Sequence, residues 1–65
     1  MEKDLLLQQI EDLKRHCRNL QDNIREMLEN ENQGGAMALM DDLQDAEFLI
    51  DVKKSQVEEL ESKGQ

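Results

Sequence analysis

His16 and Cys17 are the two side chains whose chemistry best suits a transition metal, and Asp41, Asp42 and Asp45 form the densest group of carboxylates. A structural zinc site needs four ligands, usually Cys or His recurring at fixed spacing. This sequence offers one of each, at adjacent positions, and adjacent residues on a helix point about 100° apart. They do not converge on one ion within one chain, so no metal ligand is expected. The aspartates lack the alternating acids, central glycine and closing glutamate of a calcium loop; their expected place is a solvated helix face. Gly34-Gly35 follows a helical stretch and has no Lys and Ser/Thr after it, so it is not a phosphate cradle. There is no Ser–His–acid spacing. No catalytic residue, cofactor site or enzymatic activity is expected.

The residues around these groups are spaced for helices. Leu6, Ile10, Leu13, Cys17, Leu20, Ile24 and Met27 follow one another at intervals of four, three, four, three, four and three. That is an unbroken set of heptad a and d positions, separated almost entirely by charged and amide side chains. A helix is expected from about residue 2 to 30, with Glu2 and Asp4 in the first turn, where carboxylates favour the positive end of the helix dipole. A second helix, from about 36 to 62, carries Ala36, Leu39, Leu43, Ala46, Ile50, Lys53, Val57 and Leu60, again at heptad spacing. The turn is expected over residues 31–35, where Gly34 and Gly35 break helices and take the left-handed conformation. Gly64 can serve as the C-terminal stop.

The two seams are out of register with each other. Continuing the first heptad places its next a position at Ala38, whereas the second seam has it at Ala36, and this jump is neither of the interruptions that coiled coils absorb by rewinding. Folding the chain back resolves it. Met27 then meets Ala36, Ile24 meets Leu39, Leu20 meets Leu43, Cys17 meets Ala46, Leu13 meets Ile50, Ile10 meets Lys53 and Leu6 meets Val57. In this arrangement Lys14 falls opposite Glu47 and His16 beside Leu49. Lys53 is the one charge on the seam; its stem is expected to cover Ile10 while its ammonium reaches water or Glu11.

The expected fold is therefore all-α: a single unit over 1–65, an antiparallel coiled-coil helical hairpin that self-associates. The alternative is a parallel two-stranded coiled coil, favoured by Ile10 and Ile24 at a with Leu6, Leu13 and Leu20 at d. At 65 residues the chain barely offsets an ordering cost of about 1.5 kcal/mol per residue, so folding is expected to be coupled to association. Several apolar residues lie off the seams. Phe48, the only aromatic, groups with Leu49 and Val52 as the expected partner-binding surface; Leu28, Met37 and Met40 gather at the turn, and Leu5 and Leu7 at the open end.

The net charge is −8, with seven acids against five bases over residues 1–30 and nine against three over 31–65. Such a surface repels phosphate backbones and anionic lipid headgroups, so neither nucleic acid nor membrane is an expected partner. One cysteine and no long apolar run point to a reducing, cytoplasmic setting. The function expected is oligomerisation or scaffolding within a larger intracellular protein, with the chain itself or another helical protein as partner. An RNA-binding hairpin using Lys14, Arg15, Arg18 and Arg25 is a remoter alternative, opposed by the acidic surface.

Overall fold

The computed structural model describes residues 2–63. Two helices, α1 (Glu2–Glu29) and α2 (Gln33–Lys63), pack against each other as a helical hairpin. Lys3, near the start of α1, pairs with Glu61, near the end of α2, at 3.4 Å, and Lys53 of α2 donates a hydrogen bond to Gln9 of α1 at 2.9 Å. The Cα extents of 52 × 14 × 10 Å are those of one helix length by two helix widths; 28 to 31 residues rise about 42–47 Å. The expected C-terminal stop at Gly64 lies outside the described residues, and α2 continues through Ser62 to Lys63.

The reversal is tighter than expected and does not use glycine conformations. Helix α2 starts at Gln33, three residues before Ala36, and Gly34 and Gly35 lie inside its first turn with no positive φ. The left-handed residue is Glu31, at φ 61°. Around it the Asn32 N–H donates to the Met27 carbonyl at 2.7 Å and the Glu31 N–H to the Leu28 carbonyl at 3.1 Å. This pair of bonds is the Schellman closure, with Glu31 where glycine is usual. It satisfies carbonyls that no basic side chain reaches, since the last turn of α1 holds none.

Asn32 then starts the next helix. Its Oδ1 accepts a hydrogen bond from the Gly35 N–H at 3.0 Å, and its carbonyl accepts the first intrahelical bond, from the Ala36 N–H, at 3.1 Å. That is an N-cap, and it stands in for the carboxylates that the first turn of α2 lacks. One residue, Asn32, thus closes α1 and opens α2. Gly35 is closely packed: a Cβ there would lie 2.7 Å from Met27 Sδ and 2.8 Å from Asn32 Nδ2, so those side chains would have to shift. At Gly34 a Cβ would meet nothing within 4 Å.

The core is thin. Ile10, Cys17, Leu20, Ile24, Ala36, Ala46, Ile50 and Val57 are buried, while Leu6, Leu13, Met27, Leu39, Leu43 and Leu60 are half-buried. Ile10, Cys17, Ala46, Ile50 and Val57 form one cluster, with Leu6, Leu13 and Leu43 packed against it. Apart from Ala36, each buried side chain keeps a few per cent of its surface in water, as two helices alone leave the edges of their seam open.

Candidate interaction surface

Opposite the seam, α2 exposes Phe48, Leu49 and Val52, at 68%, 45% and 37% of their surfaces. Residues 48 and 52 are one turn apart and 49 is adjacent, so the three make one contiguous patch. By helical spacing from the buried Ala46 and Ile50, Phe48 points away from α1, while Leu49 and Val52 roll towards one edge of the hairpin. Large apolar residues are also exposed at Leu5, Leu7, Leu28, Met37 and Met40. Among the described residues eight large apolar side chains are thus exposed against eight apolar residues buried, a balance that a self-sufficient domain would tip towards burial.

The hairpin has two long edges of different character. Helical spacing counted from the buried residues puts Leu5, Gln9, Asp12, His16, Asn19 and Glu26 of α1, and Asp42, Asp45, Leu49, Val52, Gln56 and Glu59 of α2, on the Leu49 edge. At its open end this edge dips into a groove of about 320 Å³, lined by Glu2, Leu5, Leu6, Gln56, Glu59 and Leu60. The opposite edge carries both charge signs and includes a shallower groove of about 420 Å³ between Lys14, Glu47, Ile50, Asp51 and Lys54.

Several polar residues pair differently from expectation. Lys14 and Glu47 share the walls of that second groove, but the Lys14 ammonium pairs with Glu11, one turn back on α1, at 3.6 Å. A partner one turn away costs the lysine less ordering than one across the helices. The Lys53 ammonium reaches Gln9 rather than Glu11, in a part-buried hydrogen bond. A neutral amide on the seam's edge satisfies it without bringing a second charge out of water.

His16 is exposed and Cys17 is buried, and among the described residues no group of three or more His, Cys, Asp or Glu is placed to hold a metal ion. Burial pushes the Cys17 thiol above its usual pKa, and the carboxylate of Glu47 adds to the shift. That is the reverse of what a reactive thiolate needs. Asp41, Asp42 and Asp45 are all exposed. No described helix is long and apolar enough to cross a membrane. No family model matches the chain, and neither a curated protein nor a solved structure is detectably similar to it.

Proposed function

We propose that the hairpin is an antiparallel coiled coil that serves as an association module, joining a further helix, from a second copy or from another protein, through the Phe48, Leu49 and Val52 face. The observation that carries this reading is the exposure of the chain's one aromatic residue, 68% open and flanked by two aliphatic side chains, on the side of α2 remote from its partner helix. Exposed apolar residues scattered singly need no explanation, but a contiguous patch of this kind marks a contact surface.

The surface area supports it. The chain exposes 5100 Å², against about 4300 Å² for a compact monomer of 7.6 kDa. A partner laid along the hairpin would cover the excess and supply the second layer that a two-helix core lacks. The role is organisational: holding chains together in the reducing interior of the cell.

Photo-crosslinking tests this. Benzoylphenylalanine at position 48 is expected to yield a discrete higher-mass product, either the chain's own dimer or a conjugate with a second protein. The same group at position 22, on the outer face of α1, is expected to yield none. Uncrosslinked monomer at both positions, or equal products from both, would reject the Phe48 face as the association surface.

A further inference from the structure

We infer that the occupant of the Leu49 edge is a basic amphipathic helix of another protein, not a second copy of this chain; the inference rests on the association reading above and specifies its partner. Its basis is the sign of the charge around the apolar residues. Asp12 and Glu26 on α1, and Asp42, Asp45 and Glu59 on α2, project on this edge. All are exposed, and so is Glu2 at the mouth of the open-end groove. Most of the basic residues lie elsewhere. Lys14, Arg18, Arg25 and Lys54 sit on the opposite edge, Arg15 on the outer face of α1, and Lys3 pairs with Glu61 at 3.4 Å. Two bases reach this edge: Lys53, whose ammonium bonds to Gln9, and Lys63, at its extreme end.

The edge therefore has an apolar centre of Leu49 and Val52, continuous with Phe48, an apolar groove floor of Leu5, Leu6 and Leu60, and a rim of carboxylates. Two copies meeting across it would set about a dozen carboxylates against only four bases, and an excess of like charge brought face to face opposes association. A helix with leucines at heptad spacing and lysines or arginines beside them would fill the groove and neutralise the rim together.

Two synthetic 21-residue helices of identical leucine pattern test the inference, one with lysine and one with glutamate at the flanking positions, each titrated into the full chain by fluorescence anisotropy. The lysine peptide is expected to bind saturably at one per hairpin, with affinity falling as salt rises, and the glutamate peptide to bind at least tenfold more weakly. Phe48→Ala, at an exposed position that leaves the seam intact, should weaken the lysine peptide tenfold or more. Asp45→Asn with Glu59→Gln should weaken it severalfold, and Glu47→Gln with Asp51→Asn, on the other edge, should leave it unchanged. Equal binding of the two peptides, no binding of either, or equal losses from the two acid pairs would overturn the inference. If position 48 still crosslinks when the peptides fail, the basic partner alone is rejected; if crosslinking fails as well, the association reading falls with it.

Discussion

Stability at the reversal should respond to three single substitutions in three different ways. Glu31 holds φ at 61°, a conformation that costs an L-residue with a side chain about 1–2 kcal/mol. Glu31→Gly removes that strain but enlarges the entropy of the unfolded chain by about 0.4–1 kcal/mol, so the net gain should be about 0.5–1 kcal/mol. Gly34 is helical with nothing within 4 Å of a new Cβ, and Gly34→Ala should add up to about 1 kcal/mol through helix propensity. Gly35→Ala has the same propensity gain, but its Cβ would push on Met27 Sδ at 2.7 Å and on the capping amide of Asn32 at 2.8 Å. Losing that cap costs about 1 kcal/mol, so the variant should be neutral at best and less stable if Met27 also loses its place. For a domain this small 1 kcal/mol moves the melting temperature about 4–8 °C. Thermal melts followed by far-ultraviolet circular dichroism, compared at matched chain concentrations because association raises Tm, would read these shifts. A Gly35→Ala gain equal to that of Gly34→Ala, or a lower melting point for Glu31→Gly, would refute the account of the turn.

Two further predictions concern the seam. Because burial and then Glu47 raise the folded pKa of Cys17, the unfolded chain loses its thiol proton first. The thiol's contribution is therefore whole below the ordinary thiol pKa of about 8.5 and is lost as pH rises from there through the raised folded value. Denaturant titrations at pH 7 and pH 10 should show this alkaline decline shrinking in Cys17→Ala, and an identical pH dependence in the variant would contradict it. Lys53→Leu replaces the one charged seam residue, whose ammonium is held by Gln9, and should raise stability by about 1 kcal/mol through added apolar burial. A loss of stability in the same denaturant assay would show that the Lys53–Gln9 bond fixes the packing of the helices.

The pairing of two helices could be read from heptad spacing and from the register jump, because a seam every three and four residues has to be covered and a jump between seams requires a reversal. The residues that execute the reversal could not be read the same way. Glycines advertise turns, yet Gly34 and Gly35 are helical, and the left-handed conformation falls on Glu31. The position is fixed by two capping patterns that share Asn32: the closure back to Met27 and the side-chain bond on to Gly35. The signal in the sequence is Asn32 itself, a residue type strongly favoured at N-caps, three residues before Gly35. Lys14 and Lys53 illustrate a second limit. Heptad position places a lysine's Cα on an edge, but its ammonium travels several ångströms further, and Glu11 and Gln9 lay within that reach. The apolar character of the Phe48 face was legible in composition and spacing; its predominantly acidic rim required both helices to be placed side by side.

Everything proposed for this chain depends on the two helices lying antiparallel within one molecule. Spin labels at positions 2 and 62, with labelled chain diluted in excess unlabelled chain so that only intramolecular distances register, test that directly. With Lys3 and Glu61 3.4 Å apart, the label separation should be about 10–25 Å, an interaxial distance of about 8–10 Å plus the label arms. A separation approaching 90 Å, the rise of about 60 residues in one continuous helix, would contradict the hairpin and with it the surface that the second helix presents.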